Sequence, residues 1–479
     1  MNTKLILKLN GNILLFDAIS MLLPMIVAFI YKEQAGFAFL PAIAIILAVS
    51  IPLMFLKPKH NNLNAREGLI TVASAWILIS FAGGLPLFFS GEIPSIIDAF
   101  FESASGYTTT GATIISDVES LSHCMLFWRS FTHWLGGMGV LMFVMALAPL
   151  VGAYNMHLMR AESTGPKVEK IVPKANATAK VLYGIYIGLT LLQFLLLVLG
   201  KMPVFDAINT SFATAGTGGF GIKNDSLASY STYIQAVVSA FMLLFSVSFN
   251  IYFLLIFRKF KAALKNEELR MFVIIVLSAI TLIVLNNFSL FNTVGEAIHH
   301  TLFTVASIIS TSGFATVDFN AWPEFSKTIL VMLMFIGACA GSTGGGIKVS
   351  RILIFMKSFK KEIVSLIHPR SVTTISINGK KLEDETIKKT NSFLVFFVFI
   401  FTAAFLLISL DGFSFETNFT ALAATINNIG PGLAGVGPLE NFAKFSDLSK
   451  LVLTFVMICG RLELFPLIIL LSPRTWKKY

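Results

Sequence analysis

Four short stretches stand out for the chemistry their backbones can perform: Thr109-Thr110-Gly111, Thr217-Gly218-Gly219, Thr311-Ser312-Gly313 and Asn428-Ile429-Gly430. Each ends on glycine, which reaches positive φ without the steric penalty other residues meet. The first three consist of small or hydroxyl-bearing residues throughout, and Thr108 extends the first. No acid, base and nucleophile cluster recurs within an apolar segment, so an enzyme embedded in the membrane has no candidate machinery here. What the stretches offer is backbone oxygen. Several successive carbonyls aimed at one axis replace the hydration shell of a passing cation, and four such runs around one axis make a cation filter.

The four stretches are copies of one unit. Asp98–Ala112 reads DAFFESASGYTTTGA and Asp206–Phe220 reads DAINTSFATAGTGGF, and they align without a gap. With Gly111 and Gly219 as anchors, His300–Phe314 (HTLFTVASIISTSGF) and Thr417–Pro431 (TNFTALAATINNIGP) follow in the same register. Internal repetition of this kind sets the architecture. Each copy begins as a stretch of about ten residues of mixed polarity, the length of a short helix packed in protein, whose partly negative C-terminal end would face the ion.

The elements that must position these loops are apolar. Of 479 residues 55% are hydrophobic and 13% charged, against about 25% charged in soluble domains. Runs long enough to cross a bilayer are expected at 13–31, 36–56, 69–90, 124–150, 179–200, 231–257, 270–290, 328–358, 391–410 and 449–472. The run from Ile13 continues to Tyr31 without a small-residue cleavage site and reads as a first span, not a signal peptide. The half-polar stretches between spans read as re-entrant segments, tolerated where backbone is buried in protein or lines water. The expected fold is an all-α polytopic membrane protein. It has ten transmembrane helices with four re-entrant pore loops: two leading helices (1–60), pore repeats at 61–152, 153–257 and 258–358, and a charged linker with the fourth repeat at 359–479.

Charge sets the orientation. The segments 1–12, 57–68, 153–180, 258–270, 348–390 and 473–479 hold 28 of the 36 Lys and Arg, and the opposite loops hold six. The positive-inside rule then puts both termini in the cytoplasm. The acids gather on the other side, Asp98, Asp117, Glu119, Asp206, Asp318 and Asp411 among them, where they raise the local cation concentration. The net +10 is therefore topology, and no nucleic-acid partner is implied. Cys124, Cys339 and Cys459 are odd in number and lack CxxC spacing, so they read as buried thiols and not as disulfides or a zinc site.

Two features lie below the loops. Thirty-one residues beyond each loop glycine stand Met142, Asn250, Gly344 and Arg461, expected at similar depth. Gly344 belongs to Gly341-Ser342-Thr343-Gly344-Gly345-Gly346, a run that should break its span, since each glycine costs a helix about 1 kcal/mol against alanine. The run is not a phosphate-binding loop. Lys348 comes one place late for GxxxxGK[ST], the hydroxyl after it is missing, and no strand precedes. Arg461 within a span needs a partner or water. Glu463, two residues on, faces elsewhere on a helix, so a pore-facing barrier charge is favoured over a structural ion pair. Asp17 reads as a hydrogen-bonded packing residue, Arg129 as an outer-end anchor, and 359–390 as a solvated loop broken by Pro369 and Gly379. His123, His133, His299 and His300 show no metal-ligand spacing.

These motifs carry a resemblance. TTTGAT at 108–113, TGGF at 217–220, TSGF at 311–314 and NNIGPG at 427–432 resemble the filter loops of the Trk/Ktr/HKT superfamily of potassium transporters. WLGGMGV at 134–140, GACAGSTGGGIKVSR at 337–351 and GRLELF at 460–465 are similar to Trk-type segments, and the two leading helices fit that type. The resemblance implies potassium uptake without enzymatic chemistry. K⁺ would be the transported ion, held at Thr109, Thr110, Thr217, Gly218, Thr311, Ser312, Asn428 and Ile429, with Gly111 in place of the serine that accompanies sodium permeation. It implies an intramembrane gate made of the 341–346 run with Lys348 and Arg461. It further implies a homodimer with one pore per subunit in the lipid of the cytoplasmic (inner) membrane, and a cytoplasmic nucleotide-binding (NAD/ATP) regulatory ring that the 359–390 segment would contact. An ion-coupled secondary transporter is the rival reading, but such folds show twofold repeats and a closed midplane site, not four glycine-ended loops.

Overall fold

The computed structural model of the chain describes residues 1–58, 64–139, 175–370 and 374–476. Helix α1 (Thr3–Ser20) runs into α2 (Leu22–Tyr31), and α3 (Phe39–Met54) returns beside them. The first span begins at Thr3, well before the expected residue 13. Its start is fixed by Asn2, whose side chain accepts from the Leu5 N–H at 3.3 Å while its own N–H donates to Glu67 at 2.6 Å. Four units of first helix, pore helix and second helix follow. They are α4 (Ala65–Phe89), α5 (Ile96–Tyr107) and α6 (His123–Gly137); α7 (Ala175–Leu199), α8 (Val204–Gly216) and α9 (Thr232–Ser246) with α10 (Phe249–Ile256); α11 (Glu267–Asn287), α12 (Val294–Ser310) and α13 (Glu324–Ile336) with α14 (Val349–Ile367); and α15 (Asp384–Ile408), α16 (Phe415–Ile426) and α17 (Asp447–Arg461) with α18 (Phe465–Leu471).

The pore helices start where local chemistry tells them to. Hydroxyls of Ser95, Thr293 and Ser414 accept from the N–H groups of Asp98, Glu296 and Thr417, and Pro203 precedes the remaining one. All four carry an acid in the first turn, Asp98, Asp206, Glu296 and Glu416. Negative charge there suits the positive helix end, and leaves the partly negative end for the loop that follows.

Among the described residues, the six helices long and apolar enough to cross a membrane unbroken are the two leading ones and the four first helices. Their outer faces expose large apolar side chains, such as Phe29 (85%), Ile274 (66%) and Phe399 (69%), an area that water would not tolerate on this scale. The second helices differ from expectation. Each ends after 13 to 15 residues. The break expected at 341–346 is present and extends over 337–348, but 231–257 and 449–472 read as continuous spans. In the structure α9 and α10 meet at 93° across Val247-Ser248, and α17 stops before Glu463 and Leu464, both at positive φ (58° and 69°). Hydropathy runs on through both breaks, so periodicity cannot see them. Residues 140–150 of the expected span 124–150, Met142 among them, lie outside the described residues.

The linker also differs. Instead of a solvated loop, 359–390 holds the end of α14, an antiparallel hairpin of β1 (Ser376–Ile377) and β2 (Lys380–Lys381), and the start of α15. Asn378 and Gly379 turn the hairpin at φ 51° and 73°, the Asn-Gly signature of a tight primed turn. Ile375 and Leu382 bury themselves against Ile354 of α14.

On the opposite side Glu33, between α2 and α3, caps another helix. Its carboxylate accepts from the N–H groups of His123 and Cys124 at 2.8 and 3.0 Å and meets the His123 ring at 2.8 Å, filling orphan donors at the start of α6. Desolvation alone would raise the Glu33 carboxyl, but these hydrogen bonds bring it below its ordinary 4.5. A depressed carboxyl adds stability above its unfolded pKa and loses it as pH falls through the folded value. Glu33→Ala is therefore expected to cost roughly 1 kcal/mol at neutral pH. Melting curves of wild type and variant should converge as the pH drops below 4.5, and a constant gap would remove the capping role.

Candidate functional site

Each pore helix ends on a left-handed residue followed, two places on, by a left-handed glycine. The φ values are 54° and 80° for Thr109 and Gly111, 56° and 77° for Thr217 and Gly219, 60° and 79° for Thr311 and Gly313, and 55° and 98° for Asn428 and Gly430. A β-branched residue at positive φ is an outlier, yet three threonines take it in the same register. Such strain persists only where surroundings impose it, and it clusters at functional sites. Alternating the sign of φ turns successive carbonyls toward one side, as a ring of cation ligands requires.

The four loops close on one another. A Cβ placed on Gly111 would collide with the carbonyl oxygen of Gly218, on Gly219 with that of Ser312, on Gly313 with that of Ile429, and on Gly430 with that of Thr110, at 2.7 Å. The contacts run from each repeat to the next and from the fourth back to the first, so the loops surround a common axis. Thr108, Thr109, Thr110, Thr217, Thr311, Ser312 and Asn428 are all buried. Gly111, Gly219, Gly313 and Gly430 together line an outer cup with Arg129, Lys223, Asn224 and Glu440.

Side chains outside the four loops, Arg129, Glu102 and His133, hold them from behind. Arg129 is no outer anchor. It is buried against Glu102 at 2.8 Å and lies over the Phe220 ring at 4.1 Å, while Glu102 also accepts from Thr113 Oγ1 and the Ile114 N–H at 3.0 Å each. His133 contacts the Gly106 carbonyl at 2.8 Å through Nδ1 and accepts from the Phe220 N–H at 3.3 Å through Nε2. Asn428 donates to Thr110 Oγ1 at 3.0 Å and to the Met457 carbonyl at 2.9 Å, joining the fourth loop to the first. The available signal was an ionisable residue in an apolar segment, which by default deserves a partner. Asp17 of α1 does accept from the Tyr107 hydroxyl.

Beneath the loops lies the break between α13 and α14, with Gly337, Gly341, Gly346 and Lys348 at positive φ. Several of its buried backbone groups find partners above it and in the second and fourth repeats. Upward, the Gly345 N–H donates to Thr311 Oγ1 at 2.6 Å and the Gly346 N–H to the Asn427 carbonyl at 3.1 Å. Sideways, the α9–α10 break meets it: Cys339 N–H donates to the Ser246 carbonyl at 3.0 Å, Phe249 N–H to that of Gly341 at 2.9 Å, and Thr343 Oγ1 to that of Phe245 at 3.2 Å. Gly344 leaves no space for a side chain, with the Ser310 carbonyl 2.8 Å from where its Cβ would stand. The buried Lys348 donates to the Gly344 carbonyl, and Ser342 donates to that of Cys339 at 2.6 Å.

Arg461 and this loop sit at one depth. The guanidinium, at the end of α17, donates to the Thr343 carbonyl at 2.8 Å, to that of Gly137 at 2.7 Å, and to that of Gly136. Glu463 pairs with Arg351, which also donates to the Ile347 carbonyl at 3.0 Å. Asn250 falls in the first turn of α10, just past the break. A ring of carbonyls above a plug of backbone, with one cation wedged between the plug and the first repeat, can select, pass and obstruct an ion.

Comparison with known proteins agrees over the full length. The family described as TrkH, cation transport protein, matches residues 35–478. The Trk system potassium uptake protein TrkH of Salmonella typhimurium is 36% identical over 486 aligned residues, with 100% of each chain covered. TrkG of Escherichia coli, named likewise as a Trk system potassium uptake protein, is 34% identical with 100% of each covered. The crystal structure of the potassium transporter TrkH from Vibrio parahaemolyticus matches with a TM-score of 0.88 at 33% identity, again over 100% of both chains. The chain belongs to the TrkH family of cation transport proteins, multi-pass membrane transporters and not enzymes.

Proposed function

We propose that this chain takes up potassium across the cytoplasmic membrane through a K⁺-selective, channel-like pore closed by an intramembrane gate. The observation that carries the reading is the ring in which each loop glycine faces a carbonyl of the next repeat. The filter is then made of Thr108–Gly111, Thr217–Gly219, Thr311–Gly313 and Asn428–Gly430, with K⁺ as cargo on the carbonyls of Thr109, Thr110, Thr217, Gly218, Thr311, Ser312, Asn428 and Ile429. The gate is the 341–346 run with Lys348 and Arg461. The names of the relatives, potassium uptake proteins of a Trk system, support the ion and the direction. We read the chain as one subunit of a homodimer, both termini in the cytoplasm, working with a cytoplasmic nucleotide-binding ring.

The test is selectivity. Gly111→Ser puts a Cβ into the Gly218 carbonyl at a φ of 80°, where strain of about 1–3 kcal/mol must be relieved by moving the ring. In liposomes under opposed K⁺ and Na⁺ gradients the K⁺/Na⁺ permeability ratio is expected to fall about tenfold, the equivalent of 1.4 kcal/mol. A well-folded variant with an unchanged reversal potential would take Gly111 out of the filter.

A further inference from the structure

The first turn of α11 begins with two glutamates that face different tasks. Glu268 Oε1 accepts from the Ala340 N–H at 2.6 Å and from the Ser350 N–H at 3.1 Å. Those two residues flank the 341–346 run on either side, so one carboxylate oxygen staples both ends of the loop. Glu267, its neighbour, reaches out of the membrane region. It exchanges hydrogen bonds with Asn378 at the hairpin turn, accepting from its N–H at 2.7 Å and donating its own N–H to Oδ1 at 2.8 Å. It also pairs with Lys357 of α14, whose ammonium donates to the Ser376 carbonyl at 2.6 Å.

We propose that Glu268 is the positioning residue that holds the gate shut, and that Glu267 ties its position to the β1–β2 hairpin at the cytoplasmic surface. The proposal rests on reading 341–346 as the gate. Asn266 caps this helix start by accepting from the Leu269 N–H at 3.0 Å, so adjacent residues of its first turn move together. Anything that displaces the hairpin or the outer part of α14 pulls on Glu267, and through the same turn on both ends of the loop. The hairpin is thereby the cytoplasmic handle of the gate. A contiguous chain of hydrogen bonds is a route for coupling only if perturbing its two ends proves non-additive, and that is what should be measured.

Full-length protein in liposomes would be compared as wild type, Glu268→Ala, Glu268→Gln, Asn378→Ala, the Glu268→Ala/Asn378→Ala double variant, and a variant lacking Gly344 and Gly345. Basal K⁺ flux is expected to rise about tenfold in Glu268→Ala, which takes away the acceptor oxygen shared by the Ala340 and Ser350 N–H groups. It should stay near wild type in Glu268→Gln, which keeps an acceptor oxygen. Reversal potentials should not move, because the filter lies above. Asn378→Ala, outside the membrane, should raise flux about threefold alone and add nothing to Glu268→Ala. If the loop deletion raises flux and folded Glu268→Ala does not, the staple is overturned and the gate stands. If the deletion leaves flux closed, the gate reading falls and this proposal with it. Should Glu268→Ala fail to fold, Asn378→Ala decides, and unchanged flux there overturns the handle.

Discussion

Deleting Gly344 and Gly345 is expected to raise basal K⁺ flux about thirtyfold with little change in ion preference. The deletion removes the Gly345 N–H bond to Thr311 Oγ1 and the Gly344 carbonyl that accepts from Lys348. Net contributions of about 1 kcal/mol each make roughly 2 kcal/mol of closed-state stabilisation, and at 1.4 kcal/mol per decade that is about thirtyfold. The geometry adds a steric reason. Gly344 and Gly345 pack directly under the third and fourth loops, with the Ser310 and Asn427 carbonyls where their Cβ atoms would be. A loop two residues shorter cannot reach both. The measurement is K⁺ efflux from liposomes together with the K⁺/Na⁺ reversal potential. A folded deletion variant that stays closed would assign the loop to scaffolding.

What the sequence discloses follows from how local each cause is. The four loops are legible because glycine, threonine and a first-turn acid recur at fixed offsets, and each acts within a few residues: Ser95 caps its own helix, and Gly111 needs its own positive φ. The glycine-rich break at 341–346 is legible for the same reason. The break at Val247-Ser248 is not, because it carries no glycine or proline and its cause is remote, whereas the break at Glu463-Leu464 did have a local signal in Pro466, which opens the helix that follows. The first is held by Gly341 and Cys339, nearly a hundred residues on. Arg129 was misread as an anchor because its partner Glu102 sits on another helix. The hairpin is a different failure: Asn378-Gly379 announces it, but its strands are too short to alternate.

Arg461 divides two mechanisms that sequence alone cannot separate. As a fixed charge in the path it repels K⁺. Two unit charges 4 Å apart interact by about 4 kcal/mol at an effective dielectric of 20, and water in the cavity lowers this toward about 1 kcal/mol. The structure adds a second role, because the guanidinium bridges the 341–346 loop at Thr343 to the first repeat at Gly136 and Gly137. Hydrogen bonds from a charged donor are worth about 1.5–3 kcal/mol each. Arg461→Ala removes charge and bridge together, and should raise K⁺ conductance about tenfold while lowering thermal stability, with the K⁺/Na⁺ preference nearly unchanged. Arg461→Lys is the decisive variant. Lysine keeps the charge but offers a point ammonium in place of a planar fork, so it cannot hold Thr343 and the Gly136–Gly137 pair at once. If charge is the barrier, the lysine variant conducts like wild type. If the bridge is the latch, it leaks nearly as much as the alanine variant, and the three carbonyl contacts favour that outcome. An Arg461→Ala protein that melts early and conducts no better would assign the residue to scaffolding alone.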